Sequence, residues 1–537
     1  MDKVAADSPK AEHQETDAVM YLSTEPYGPP GFRGIAASRY VAVCASFSAI
    51  GGLLFGYEYA ETSLASLLHK ANQLGGSQGV ISVILVMDQF LGRFQEVSDT
   101  ASGAGFYKGL MTAMITLGAF IGALNQGWIA DMYSRKYSIM IAVVIFTVGS
   151  ALQTASVDYA MLVTARLIGG VGIGIIVLGI VISFWITYGT QYIGSHWSWQ
   201  LPFLLQIIPG LLLGFGAIFL PFSPRWLASK GRDEDALLNL AKLRCLPMTD
   251  PRVQREWMEI ITESRFQKGI LAERHPNLVK GGVANKLKLE FSTWMDCFKR
   301  GCWRRTHVGA GLMFFQQFVG INALIYYSPT LFGTMGLDHN MQLIMSGVLN
   351  VTQLIGVISS LWTLDRYGRR KILLYGSVGM FVSHFIIAVL VGKFSNNWPA
   401  HKAEGWTSVA FLLFYMLAFG ASWGPVPWAM PAEIFPSSLR AKGVSISTCS
   451  NWLNNFIVGL ITPPMVQNTG FGAYVFFAVF CFLSFAWTFY FVPETNGKTL
   501  EQMDDVFKDH SSTEELERKN RLMADTIRQR TNGAVGA

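Results

Sequence analysis

Three carboxamide side chains stand close together inside an otherwise apolar run: Gln316, Gln317 and Asn322, within FFQQFVGINALIYY. A carboxamide donates and accepts hydrogen bonds at once, so a group of them suits a ligand built of hydroxyls, with aromatic platforms for its apolar faces. On an ideal helix Gln316 and Gln317 project about 100° apart, and Asn322 lies about 120° to the other side of Gln316. One ligand reaches all three only if the helix loosens, and Gly320 is the residue to loosen it. The alternative is that buried amides simply bond neighbouring membrane helices. Arg166 is the other conspicuous group, six residues into the apolar run Met161–Tyr188. A charge at the centre of a bilayer costs about 2.5–3.5 kcal/mol on insertion scales, so it calls for a partner, unless it snorkels to the interface. No nucleophile, metal-ligand or phosphate-loop constellation accompanies these residues, which argues against an enzyme with a metal or cofactor. The six cysteines (44, 245, 297, 302, 449 and 481) show no paired spacing for zinc or redox work and read as packing residues or free thiols.

The elements that position these groups are membrane helices. Of 537 residues 51% are apolar and 15% charged, against about 25% charged in soluble chains. Apolar runs of about 20 residues recur, the length that crosses the hydrocarbon core as a helix and too long for barrel strands. Eleven are readable: Tyr40–Tyr57, Gly109–Ala130, Ser138–Ala155, Met161–Tyr188, Leu201–Leu220, His307–Phe332, Gln342–Leu364, Ile372–Val391, Val409–Ala432, Val444–Val466 and Phe471–Phe491. They divide the chain into an N-terminal tail (1–39), a first membrane half (40–221), a central polar segment (222–306) with surface helices, a second half (307–493) and a C-terminal tail (494–537). The N-terminus is polar and acidic up to Glu25, so no cleavable signal peptide is expected, and the first span would act as an uncleaved insertion signal.

The net charge of +6 does not imply a nucleic-acid partner, because the basic residues flank apolar runs as orientation signals do. With both tails and the central segment in the cytosol, the central segment alone puts 17 of the 42 lysines and arginines inside. The positive-inside rule favours that orientation.

The halves repeat. GWIADMYSRK (127–136) and SLWTLDRYGRRK (360–371) align Asp131 with Asp365 at an offset of 234 residues, and PFSPRW (221–226) and PETNGK (493–498) close each half. Such an offset marks a duplicated half rather than a solenoid repeat. With QQFVGINALIYY (316–327), GPVPW (424–428), PAEIFPSSLRAKG (431–443) and SNW (450–452), these motifs resemble the sugar porters of the major facilitator superfamily, closest in flavour to fungal monosaccharide carriers. The resemblance implies an all-α membrane protein of two six-helix halves, nominally twelve spans, that transports a monosaccharide such as glucose by alternating access. It implies a multi-pass protein of the plasma membrane with no cofactor beyond a co-transported proton, and it leaves the oligomeric state open, a monomer included.

Carried over by motif, Gln316, Gln317, Asn322, Asn350 and Asn451 would hydrogen-bond the sugar, with Trp428 and Trp452 as aromatic contacts. Tyr326 and Tyr327 would gate the extracellular side, or else belong to an interfacial aromatic belt. Pro425 and Pro427 break the span that contains them, as a bending gate or as a static kink. Asp131, Arg135, Asp365, Arg369, Arg370, Glu433 and Arg440 would form a cytosolic salt-bridge latch. Glu58, at the place where proton-coupled carriers have Asp, would pair with Arg166 and release it on protonation.

The first half departs from the pattern. From Asp131 to Pro221 is 90 residues, whereas from Asp365 to Pro493 is 128. The shortfall falls near position 175, where the start of the fourth span runs straight into what looks like the end of the fifth. The fused run of 28 residues is about 42 Å long as a helix, which is one tilted span rather than two. A polar stretch, 59–77, also interrupts the first span. An insertion beside a deletion looks like altered splicing or a faulty gene model. The expected alternatives to a working carrier are therefore a transport-defective isoform or a transporter-like nutrient sensor.

Overall fold

The computed structural model describes residues 81–98, 101–173, 187–190, 192–193, 195–205, 207–219, 221–279, 283–299, 301–498, 500–507 and 514–525. Among them the regular structure is helical. The first half contributes α1 (Ala104–Tyr133), α2 (Arg135–Thr154), α3 (Tyr159–Ile173), α4 (Trp197–Leu205) and α5 (Ile207–Phe219). The longest helices of the central segment are α6 (Pro251–Arg274) and α7 (Val283–Asp296). The second half is α8 (Trp303–Phe318), α9 (Ile321–Thr334), α10 (His339–Tyr367), α11 (Arg369–Phe394), α12 (Lys402–Ala421), α13 (Val426–Ile434), α14 (Arg440–Thr469) and α15 (Gly472–Phe491). A short helix, Leu500–Phe507, and α16 (514–525) follow.

Eight stretches among the described residues are long and apolar enough to cross a membrane, with α8–α9, α12–α13 and α4–α5 each counting as one. α3 is shorter, and α14, although 30 residues long, is not among the eight. α14 carries Ser450, Asn451, Asn454 and Asn455, and three of these four are buried. It runs against both halves, so protein rather than lipid solvates its polar groups. Gly109 of α1 is so close to it that a Cβ would sit 2.5 Å from Leu460 O, and Gly105 N donates to Gln467 Oε1 at 3.0 Å. Ser450 Oγ donates to Ala310 O of α8 at 2.9 Å. Large apolar side chains such as Phe215, Phe219, Tyr375 and Tyr490 point outward, more than 60% exposed, as suits a lipid-facing surface.

The run expected as one helix over Met161–Tyr188 is helical to Ile173, and residues 174–186 lie outside the described set. So do the first span, the polar stretch 59–77 and Glu58.

Candidate functional site

The span from Trp303 to Thr334 is two helices. α8 ends at Phe318, Gly320 takes φ = +101°, and α9 restarts at Ile321. Only glycine adopts that backbone without strain, and a Cβ there would also press to 2.8 Å of the Phe477 ring. The break leaves the Val319 carbonyl without a helical partner, and the second half supplies replacements. Tyr415 OH donates to it at 2.9 Å, His384 Nε2 lies 3.2 Å away and Cys481 Sγ 3.9 Å away. Three helices thus satisfy the acceptor that Gly320 frees. None of these three side chains is legible as a site residue in the sequence, because their role exists only relative to the break.

The amides gather around this break without all facing one point. Gln316 turns to α13: its Nε2 donates to Trp423 O at 2.8 Å and Gly424 O at 3.1 Å. These carbonyls belong to the turn before Pro425 and Pro427, which occupy the N-cap and an early position of α13. The prolines therefore start a helix instead of kinking one, and the amide of Gln316 covers the turn ahead of it. Asn451 Nδ2 donates to Gln316 Oε1 at 2.6 Å. Across the break, Asn322 Nδ2 donates to Gln317 Oε1 at 2.5 Å. That leaves Gln317 with an unspent donor and Asn322 with an unspent acceptor among the described residues. Asn350 donates to Ser346 O at 3.0 Å, and its buried Oδ1 has no partner.

Trp428 is half-buried on α13. Trp452 lies in a buried cluster with Ile115, Ala119 and Phe146 of α1 and α2, and its indole nitrogen has no hydrogen-bond partner among the described residues. Tyr326 and Tyr327 are buried and pinned to α14, through Asn455 Oδ1 at 3.0 Å and Gly459 O at 2.8 Å. An aromatic belt would expose them to the interface, and they are not exposed.

Arg166 is buried. Its Nε donates to Met111 O at 2.7 Å, while both terminal nitrogens have no hydrogen-bond partner among the described residues. Glu58 lies outside the described residues, so the pair is not described.

The expected latch is confined to the second half as far as it is described. Arg369 bridges Glu433 at 3.0 Å and Asp365 at 3.4 Å. The segment after α15 completes the network: Glu494 accepts from the backbone nitrogens of Arg369 and Arg370, and Thr495 Oγ1 donates to Glu433 at 2.7 Å. Asn496 Oδ1 accepts from Arg369 at 2.8 Å. The PETNG motif signalled these residues, which were read only as an ending. The Arg370 side chain reaches the Phe489 carbonyl and that of Arg440 the Phe435 carbonyl. The side chains of Asp131 and Arg135 lie outside the described set. Contacts between segments run through the central helices instead: Lys442 pairs with Glu290 of α7, and Glu515 of α16 accepts from Ser437 and Ser438.

The sequence profile described as "Sugar (and other) transporter" matches residues 44–178 and 175–507. The chain belongs to that family. The transporter is 32% identical to the sugar transporter STL1 of Saccharomyces cerevisiae, over 81% of this chain and 78% of that one. It is 28% identical to the low-affinity glucose transporter HXT3 of the same yeast, over 88% of this chain and 83% of that one. Among solved structures it is similar to the xylose transporter XylE from E. coli in a partially occluded, inward-open conformation. The TM-score is 0.65 at 23% identity, over 86% of this chain and the whole of the other, a likeness of fold. The transporter is thus a multi-pass membrane protein of the major facilitator fold. Its profile match comes in two pieces that meet at 175–178, where the spacing of the halves places the shortfall.

Proposed function

We propose that the transporter carries a monosaccharide, most closely a hexose, across the plasma membrane by alternating access, with both termini in the cytosol. The observation that carries this reading is the Gln317–Asn322 pair across the broken helix. The unspent donor of one and acceptor of the other match a sugar hydroxyl, which needs both. Gln316 and Asn451 fix the neighbouring helices so that the pair is held in place. Tyr326 and Tyr327 close the adjoining half-helix against α14 and release it when the gate opens. The named relatives, a sugar transporter and a glucose transporter, support the substrate class.

Proton coupling would use Glu58 and Arg166. Arg166 is buried with two unpaired nitrogens, a place a carboxylate would satisfy until protonated. Radiolabelled hexose uptake in cells lacking their own carriers tests the main reading. Saturable uptake whose KM rises in Gln317→Ala supports it, and absence of uptake by a chain present at the cell surface refutes it. Proton entry accompanying the sugar separates symport from facilitated diffusion.

A second reading, a transport-defective isoform, is favoured by a different observation. Thr147 Oγ1, Ser150 Oγ and Gln153 Nε2 on α2, and Ser198 Oγ and Trp199 Nε1 on α4, are buried without hydrogen-bond partners. Each such group costs about 1–3 kcal/mol, and these five lie on α2 and α4, in the half with the shortfall near 175. Uptake regained on restoring the absent fourth-to-fifth-span hairpin, from a chain that alone has none, would establish it.

A further inference from the structure

The turn between α7 and α8 joins the central segment to the membrane helix that carries Gln316 and Gln317. It holds two buried cysteines, Cys297 and Cys302. Their spacing has no metal or redox signature, and the fold pairs them nonetheless. Cys302 N donates to Lys299 O at 2.9 Å, folding the chain back on itself. Thr306 Oγ1 donates to Cys297 O at 2.6 Å and lies 3.4 Å from Cys302 O, so one hydroxyl gathers both cysteines. The Cys302 side chain lies close enough to the Cys297 thiol to be the first of the influences that hold its proton.

From this geometry we infer that Cys297 and Cys302 are a dithiol modification site that closes to a disulfide by exchange with a small disulfide of the glutathione class. The hydrogen bond with Cys302 and burial push the Cys297 thiol up, while the nearby Lys442 cation opposes them. The closed turn therefore holds the Cys297 thiol protonated and unreactive, and reaction requires the turn to open. Cys302 as thiolate then attacks one sulfur of the oxidised glutathione, forming a mixed disulfide and expelling one glutathione thiolate. Cys297 as thiolate attacks the Cys302 sulfur and expels the second. Two protein thiols are oxidised, one small disulfide is reduced, and the protons leave with the two glutathiones.

The bond would fix a joint. On one side α7 is held to the start of α14 through Glu290 and Lys442, and on the other α8 carries the amides. A rocking α8 must flex here, so the cross-link slows transport. That consequence rests on the transport reading, whereas the disulfide itself does not.

Membranes containing the full chain are treated with oxidised glutathione, capped with N-ethylmaleimide and digested with trypsin. Lys299 and Arg300 lie between the cysteines, so cleavage places them on separate peptides, Leu289–Lys299 and Gly301–Arg304. The expected product is those two peptides linked, two hydrogens lighter than their sum. The linked pair is lost in Cys297→Ser and in Cys302→Ser and retained in Cys245→Ser. Recovery of both cysteines as maleimide adducts, or of glutathione adducts alone, overturns the site. In parallel, hexose uptake should fall several-fold on oxidation, recover with dithiothreitol and be insensitive in Cys302→Ser. Full cross-linking with unchanged uptake overturns the joint's role. A chain with no uptake at all still reports the linked peptides, so failure of the transport reading is distinguishable.

Discussion

Asn451 of α14 donates to Gln316 of α8 at 2.6 Å, and Gln316 passes the connection on to the Trp423 carbonyl at 2.8 Å. One carboxamide thus ties three helices together. The neighbouring Gln317 bonds only within its own broken span. Adjacent glutamines therefore bond differently, one across helices and the other, among the described residues, within its own broken span.

Substitution separates those roles. Gln317→Ala should raise the KM for sugar about tenfold, equivalent to about 1.4 kcal/mol, with little change in melting temperature. Asn451→Ala leaves Gln316 Oε1 unpaired and should cost about 1–3 kcal/mol of stability. Uptake kinetics and melting of the detergent-purified protein measure both, and equal melting losses in the two variants would contradict the division.

Gly320→Ala tests the break. The new side chain must adopt φ = +101° and displace the Phe477 ring. Backbone strain of this kind costs about 1–3 kcal/mol. Melting should fall by that amount and uptake should drop. A variant as stable and active as the parent would show that α8 and α9 do not need this hinge.

Arg305 and Asp504 are fully buried and 2.7 Å apart, and Arg305 also donates to Ile434 O. Removing one partner strands the other charge, at a cost of about 3–5 kcal/mol. Asp504→Ala should therefore destabilise severely, and the double variant Arg305→Met, Asp504→Leu should recover much of the loss in a thermal melt. No recovery would mean that the arginine's bond to Ile434 O dominates.

Docking of α16 on α6 should depend on acid pH. Burial raises the Glu263 pKa, but hydrogen bonds from Lys519 and Gln267 outweigh it, and the net value lies below the ordinary 4.5. A depressed carboxylate pKa gives stability that is present above 4.5 and lost as pH falls through the lowered value. Protease protection of residues 514–525 should persist from neutral pH to about 5 and disappear below 4.5. In Lys519→Met that protection should weaken at neutral pH as well. A pH-independent digestion pattern would exclude the pair as the clasp.

Much of the site was legible because it is local in sequence. Gln316, Gln317, Gly320 and Asn322 fall within seven consecutive residues, and ideal helix geometry already made their convergence conditional on a break, with Gly320 as the candidate. Asn451 entered only by resemblance, and its partner could not be named, since 135 residues separate it from Gln316. Trp452, next along the chain, also entered only by resemblance, and its packing beside α1 and α2 was not legible for a related reason. Adjacent helical residues point about 100° apart, so one faces the amides and the other faces α1 and α2. The PETNG residues were visible as a motif, but their closing of the Arg369–Glu433 network was not.

By itself the sequence determined the helical membrane architecture and its duplicated halves, and offered Gly320 as the candidate for a helix break. Those follow from hydropathy, repeat spacing and backbone sterics, which act along the chain. Only the tertiary structure decided which polar groups answer one another: Val319 O with Tyr415 and His384, Gln316 with Asn451, Cys297 with Cys302. In an apolar surround a polar group must find its partner in whatever helix packs beside it, and that choice belongs to packing rather than to sequence order.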